Sequence, residues 1–261
     1  MASSTTTSNS PGDSLSAIIM AAGKGTRMAS DLPKVVHPVG GRPMVCAVVD
    51  ACLEAGCQRI VAVVGYKQEL VREALAGYGD KVRFAVQSEQ LGTGHAVACA
   101  KAEAMGSPVP AHTFVLAGDG PLIRASTLRT LAQTHARANA SATIATAILE
   151  DATGYGRIVR DAQGQFSAIV EQKNATPEQL KVREVNPSYY LFRTPALFEA
   201  LERVGRNELT GEYYLTDTLA ILKGRGDRVE VVPGVPPEDV LSINTLAELA
   251  KVDAIFRARK G

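Results

Sequence analysis

The sequence predicts an α/β fold: a Rossmann-like, mostly parallel mixed sheet flanked by helices, with a strand-rich lobe added to it. Three observations carry this. Short continuous apolar runs alternate with helical patterns through the first half, as in parallel strands buried on both faces. The first run, 15–20, opens directly into the glycine-containing stretch Gly23-Lys24-Gly25. The second half changes to closely spaced β-rich segments that include a hairpin.

The elements follow in order. Residues 1–14 begin Ser/Thr-rich and have neither an apolar h-region nor an arginine, so they read as a disordered tail. Strands are expected at 17–21, 59–65, 82–87 and 113–118. Pro43 suits the first position of a helix that runs to Glu54, with Gly56 in its C-cap region. Helices are expected at 68–76, 93–105 and 126–139. A β-rich segment covers 141–149. The runs 156–160 and 166–170 flank Asp161-Ala162-Gln163-Gly164-Gln165 as a hairpin. A strand covers 184–192, helices 195–204 and 214–222, and a strand 229–232. The last helix, 245–259, places Leu246, Leu249, Val252, Ile255 and Phe256 on one face. No internal repeat or interdomain linker interrupts 15–261, which reads as a single domain.

Composition narrows the function. A net charge of +1 gives no general footprint for nucleic acid or for a membrane surface. No apolar run approaches the length of a bilayer span. The four cysteines, Cys46, Cys52, Cys57 and Cys99, form no Cys-x-x-Cys pair. They suit the reducing cytoplasm.

The motifs point to a nucleotide. In Ala21-Ala22-Gly23-Lys24-Gly25-Thr26-Arg27-Met28, a glycine-rich turn at a strand's carboxyl end can offer N–H groups to phosphate. Lys24, Arg27 and Lys34 add positive charge there. Met28 excludes the Rossmann fingerprint, and the Walker spacing is absent. In Gln87-Ser88-Glu89-Gln90-Leu91-Gly92-Thr93-Gly94-His95, the carboxamides of Gln87 and Gln90 can read a base edge, and Gly92 allows close approach. Thr93 could equally cap the helix that follows. Asp119, after Gly118 at a strand end, is a natural Mg²⁺ ligand or the cap of a Gly-Pro turn. Gly154 and Gly156 beside Glu171 suit a sugar or mark turns. Asn186, Thr216 and Asn244 complete the set. Thr216 is also a helix-start residue, and Asn244 is a helix cap or a neutral Mg²⁺ ligand.

This ordered set resembles the sugar-phosphate nucleotidyltransferases. It is most similar to the uridyltransferase domain of the bacterial bifunctional N-acetylglucosamine-1-phosphate uridyltransferase/glucosamine-1-phosphate acetyltransferases. The resemblance runs from Ile18 to about Ala250, and its most specific pieces are 21–28 with 31–34, 89–95, 153–158 and 211–217. It implies the nucleotide-diphospho-sugar transferase fold. It implies a nucleotide-binding part at about 15–140, a sugar-binding part at about 141–235 and the closing helix 245–260. Ala21, Ala22, Gly23, Lys24, Gly25 and Gly118 would hold the nucleotide, and Arg27 and Lys34 its phosphates. Gln87, Gln90, Gly92 and Thr93 would recognise uracil and ribose. Asp119 and Asn244 would hold Mg²⁺, and Gly156, Glu171, Asn186 and Thr216 the sugar phosphate. The implied reaction joins UTP and N-acetylglucosamine 1-phosphate into UDP-N-acetylglucosamine, releasing pyrophosphate.

The chain departs from the family at three places. Ala117 stands where an aromatic usually precedes Gly-Asp. Pro187-Ser188 replaces Thr-Gly after Asn186, which leaves the sugar open. The sequence lacks the hexapeptide-repeat half, so acetyl transfer is not expected of it, and the oligomeric state does not carry over. Another sugar 1-phosphate, such as glucose 1-phosphate, or dTTP as donor remains an alternative, although 89–95 argues for uridylyl transfer. Cytidylyl or guanylyl transfer to a non-sugar acceptor shares only the first motif. A non-catalytic nucleotide-sugar sensor on the same fold has little need for Arg27, Lys34, Asp119 and Asn244 together.

Overall fold

The computed structural model describes residues 14–259. The expected tail lies outside the described residues except for Ser14, whose hydroxyl accepts a hydrogen bond from Ala111 N at 3.0 Å. β1 (Leu15–Ala21) leads into the glycine loop, and β2 (Pro38–Val39) and β3 (Arg42–Pro43) form a short hairpin before α1 (Met44–Glu54). The alternating half continues with β4 (Arg59–Val64), α2 (Gln68–Leu75), β5 (Val82–Val86), α3 (Thr93–Cys99), α4 (Lys101–Ala104), β6 (His112–Ala117) and α5 (Ala125–Ala138). Then come β7 (Ala142–Ala145), β8 (Ala147–Ile148), β9 (Gly156–Arg160), β10 (Phe166–Val170), α6 (Pro177–Leu180) and β11 (Glu184–Asn186). β12 (Tyr189–Arg193), α7 (Thr194–Leu201), α8 (Asp217–Gly224), β13 (Val229–Val232) and α9 (Leu246–Ala258) complete the chain.

Seven strands form the central sheet in the order β13-β7-β12-β6-β1-β4-β5. β1 is parallel to β4 and β6, β4 to β5, and β13 to β7, while β12 runs antiparallel between β6 and β7. The strands alternate between two cores, as a pleat covered on both faces requires. Ala17, Ile19 and Ala21 of β1 join Ile60, Ala62 and Val64 of β4 beneath α1, α2 and α5. Ile18, Val61, Val63 and Val115 face α3, α7 and α8. A third cluster joins Met28, Val39, Met44, Leu122, Ile243 and Val252. It anchors the end of the first loop and the approach to α9 in the same apolar pocket. Among the described residues no helix is long and apolar enough to cross a membrane.

A second, antiparallel sheet of β10-β9-β11-β8 forms the added lobe. Two long segments feed both sheets: the β-rich stretch 141–149 divides into β7 and β8, and the single strand expected at 184–192 is corrected to β11 and β12. The first divides at Thr146. Its N–H donates to Val232 O and its carbonyl accepts from Val235 N, while Ala147 and Ile148 pair with β11. The second divides at Pro187-Ser188, where Ser188 has φ +64° and turns the chain between β11 and β12. The hairpin of β9 and β10 forms as expected.

Other boundaries also shift. Pro43 is extended and pairs with Pro38, so α1 begins one residue later. The helix expected over 93–105 breaks at Ala100, whose N–H bonds Val97 O at 3.0 Å. α8 begins at Asp217 because the residues before it are held against the loop preceding α3. Tyr213 N donates to Leu91 O at 2.8 Å, and Gly94 N donates to Tyr213 O at 2.7 Å. The short helix α6 carries a Thr176–Gln179 capping box that the sequence reading missed.

His135 on α5 is buried, with its nitrogens 2.9 Å from Thr143 Oγ1 and 3.1 Å from His112 Nδ1. Burial, reinforced by His112 and Arg193, pulls its pKa from 6.5 down to about 3. The unfolded chain therefore takes up this proton near 6.5 while the folded chain does not. Stability present above that pH is lost as the pH falls, by about 2 kcal/mol at about pH 5. A His135→Asn variant is expected to show a smaller drop in denaturant midpoint between about pH 7 and about pH 5. An equal drop would remove His135 as its source.

Candidate active site

The carboxyl ends of β1 and β6 define the site, as expected for an open α/β sheet. Ala21, which ends β1, and Ala22 are buried, and Gly23 and Lys24 are exposed. Nothing lies within 4 Å of where a Gly23 Cβ would stand, so this stretch faces open space. Gly25 has φ +71°, and a Cβ there would come within 2.6 Å of Lys34 Cβ. Glycine is thus what lets the 33–34 segment fold back over the first loop.

Lys34 Nζ forms an ion pair with Asp119 Oδ2 and donates to Asn244 Oδ1 at 3.0 Å. Arg27 donates to the same Asn244 Oδ1 at 2.8 Å. Asn244 is not the cap of α9. Thr245 takes that position and forms a capping box with Glu248, which leaves the Asn244 carboxamide to face the cations. Asn244 N is in turn held by Glu248 Oε2 at 2.7 Å. Asp119 stands just past β6, and its carbonyl accepts from Ile243 N at 3.2 Å, which ties the two segments together. Gly118 N donates to Met20 O at 3.0 Å. The Lys24 ammonium lies 5.3 Å from the centre of the Tyr66 ring, and Tyr66 N donates to Ala22 O at 3.1 Å.

Asp119 and Asn244 each direct one oxygen at a single ammonium group, which is a hard-oxygen donor set around one cation. Mg²⁺ is commonly held by one or two protein oxygens, with phosphate and water completing the shell. The pair fits that pattern. Among the described residues no group of three or more His, Cys, Asp and Glu could hold a metal by itself.

The next wall carries Gln87, which is buried at the end of β5. Its amide nitrogen lies 3.2 Å from Gly92 O and 3.1 Å from His95 Nδ1, and His95 Nδ1 is 3.0 Å from Glu89 O. Gly92, at φ +100°, would place a Cβ 2.6 Å from Tyr213 O. Gly92 takes the N-cap position of α3, and Thr93 begins the helix. The Thr93 hydroxyl accepts from Leu215 N at 3.0 Å, which binds this loop to the segment before α8. Gln90 Nε2 lies within 2.9 Å of where a Gly65 Cβ would stand. Gly65 went unnoticed in the sequence, although a glycine ending an apolar strand was its signal.

A cleft of about 200 Å³ runs from Arg27, Asp119 and Asn244 to Gly156, Glu171, Asn186 and Thr216. Thr216 donates to Glu171 Oε1 at 3.0 Å. Burial pushes the Glu171 carboxyl up, against the lowering effect of the Thr216 hydrogen bond. Asp217 is also raised by burial. Asn186 Nδ2 donates to the Tyr190 hydroxyl at 2.5 Å, and Asn186 Oδ1 accepts from Ser188 N at 3.1 Å. Tyr155 and Ser242 join the lining unanticipated. The Tyr155 hydroxyl donates to Val240 O at 3.0 Å and accepts from Ser242 N at 3.3 Å. The structure therefore brings Arg27, Thr93, Asp119, Gly156, Glu171, Asn186, Thr216 and Asn244 to one cleft. Lys34 reaches its edge through Asp119, while Gln87, Gln90, Gly92 and the glycine loop are not among its lining residues.

The chain is similar to known proteins. The chain is 44% identical to the bifunctional protein GlmU of Syntrophomonas wolfei subsp. wolfei over 246 residues, 94% of this chain and 54% of that protein. It is 46% identical to the bifunctional protein GlmU of Geobacter metallireducens over 245 residues, 94% of this chain and 51% of that protein. The chain thus spans about half the length of these curated relatives. The crystal structure of UDP-glucose pyrophosphorylase complexed with UDP-glucose shares the fold. Its TM-score is 0.73 at 19% identity, covering 94% of this chain and 99% of that one. The apo UDP-glucose pyrophosphorylase matches with a TM-score of 0.74 at 18% identity, covering 95% of this chain and 100% of that one. The MobA-like NTP transferase domain matches residues 17–217, most of the chain, and the chain belongs to that family.

Proposed function

We propose that this chain transfers the uridylyl group of UTP to N-acetylglucosamine 1-phosphate, giving UDP-N-acetylglucosamine and pyrophosphate. The observation that carries this reading is the meeting of Arg27, Lys34, Asp119 and Asn244 at one end of a cleft whose other end holds Gly156, Glu171, Asn186 and Thr216. In this reading residues 15–140 bind the nucleotide and 141–235 the sugar, within one domain. The four free cysteines suit a cytoplasmic enzyme.

The acceptor phosphate is already a nucleophile, so no strong base is needed. Its oxygen forms a bond to the α-phosphorus as the bond to pyrophosphate breaks. Catalysis is then alignment and neutralisation of charge on the transferring phosphoryl group. Arg27 and Lys34 meet the phosphates, Gln87 and Gln90 read the uracil edge, and Gly92 and Thr93 admit the ribose. Glu171 accepts from sugar hydroxyls, held in place by Thr216, and Asn186 offers its remaining amide hydrogen and lone pair. When bound at Asp119 and Asn244, Mg²⁺ supplies positive charge against the triphosphate. The direct test is pyrophosphate release with UTP, Mg²⁺ and a panel of sugar 1-phosphates. Release is expected to be highest with N-acetylglucosamine 1-phosphate. A maximum with glucose 1-phosphate would move the acceptor, and none with any sugar or nucleotide would favour a sensor.

Two substitutions separate the ends of the cleft. Lys34→Ala is expected to lower kcat by about 10²- to 10³-fold with the fold kept, as for other groups that stabilise developing charge. Near-normal turnover in the folded variant would sink the Lys34 assignment. Glu171→Gln is expected to raise KM for the sugar phosphate. Because burial raises the Glu171 pKa, the ionised carboxylate costs stability. That stability is present at acid pH and lost as the pH rises through the raised pKa. Glu171→Gln should therefore melt at or above the parent at about pH 8, with the difference shrinking in acid. A variant less stable at alkaline pH would contradict this.

A further inference from the structure

Four non-glycine residues among those described adopt a left-handed backbone: Ala29, Lys67, Asn139 and Ser188. Of these, Ser188 stands on the wall of the sugar-side cleft. Asn186-Pro187-Ser188-Tyr189 has proline at the first central position and φ +64° at the second. That is the pattern of a type II turn, where glycine or asparagine is the usual second residue. A serine held in this region stores strain, and such strain points to a role for the side chain.

The backbone duty at this position does not require a serine. Ser188 N–H donates to Asn186 Oδ1 at 3.1 Å, a contact that glycine would make equally well. The Ser188 hydroxyl adjoins the Tyr190 hydroxyl, which already accepts from Asn186 Nδ2. Asn186 and Tyr190 are 5% and 2% exposed, so both lie beneath the surface of the wall. Ser188 is half-buried and reaches the cleft. Serine adds a hydroxyl group on the cleft wall, its proton directed at Tyr190 and its oxygen left able to accept.

We infer that Ser188 is an acceptor-binding residue whose hydroxyl oxygen accepts from a ring hydroxyl of the sugar 1-phosphate, while its strained backbone orients the Asn186 carboxamide beside it. This rests on the reading of the cleft given above. It also gives the Pro187-Ser188 departure a function: the turn keeps the chain reversal and adds a polar contact.

Ser188→Gly and Ser188→Ala both remove the hydroxyl but affect the backbone differently. Glycine relieves the left-handed strain, and alanine keeps it. Pyrophosphate-release kinetics and calorimetric binding would be measured with N-acetylglucosamine 1-phosphate and glucose 1-phosphate. In both variants KM for the preferred sugar phosphate is expected to rise about 3- to 10-fold, the effect of one lost neutral hydrogen bond. The KM for UTP and kcat are expected to stay within about 2-fold. The melting temperature of the glycine variant should be no lower than that of the alanine variant. Unchanged sugar KM in both variants, with the unsubstituted protein active, overturns the Ser188 assignment alone. If the unsubstituted protein neither binds nor turns over any sugar phosphate, the cleft reading fails and the assignment fails with it.

Discussion

The site depends on one ammonium group. Lys34 Nζ is held at once by a carboxylate after β6 and a carboxamide before α9, although these lie 85 and 210 residues away in sequence. Both side chains of the Lys34–Asp119 pair are largely shielded, at 16% and 17% exposure, so their attraction is less screened than that of a surface pair. Their positions rest on apolar packing. Met28 and Ile243 are fully buried in the third cluster, each one residue from a group that shares the Asn244 oxygen. Hydrophobic burial therefore brings Arg27 and Asn244 together, and the polar contacts select the geometry.

The lobe side of the cleft depends on a different constraint. Two chain segments run from the central sheet into the small sheet, one through Thr146 and one through Pro187-Ser188. The Thr146 hydroxyl donates to Glu184 Oε1 at 2.7 Å across this junction. The two crossings hold the antiparallel lobe over the carboxyl ends of β1 and β6, and the cleft is the space between them. Thr93 closes the remaining side through its contact with Leu215 N. The edge that carries Lys34 and Asp119 and the antiparallel lobe are thus parts of one packed unit.

Much of this was legible in the sequence because it follows from local rules. Apolar runs bounded by turns located the parallel strands, and their residues fill two cores as the pleat demands. Gly23, Asp119 and Gln87 sit just past the carboxyl ends of β1, β6 and β5, the side where ligands bind in open α/β sheets. The shifts lie where tertiary contacts override local pattern. No periodicity marks Thr146 as the point where a strand changes sheets, because its neighbours are apolar on both sides. The start of α8 moved because Tyr213 and Leu215 are held by a distant loop. Asn244 had two readings from sequence, and the Thr245–Glu248 capping box excludes one of them by filling the cap. The Lys24 ammonium lies over Tyr66, a contact without a sequence signal.

The central claim is that the Arg27–Lys34–Asp119–Asn244 end of the cleft supports bond exchange at the α-phosphorus of UTP. The reverse reaction examines that bond directly. The protein would be incubated with UDP-N-acetylglucosamine, Mg²⁺ and radiolabelled pyrophosphate, and the nucleotides separated. The account predicts label in UTP, together with release of the sugar 1-phosphate, and loss of both in an Asp119→Asn variant. Absence of labelled UTP with the folded, unsubstituted protein would contradict it.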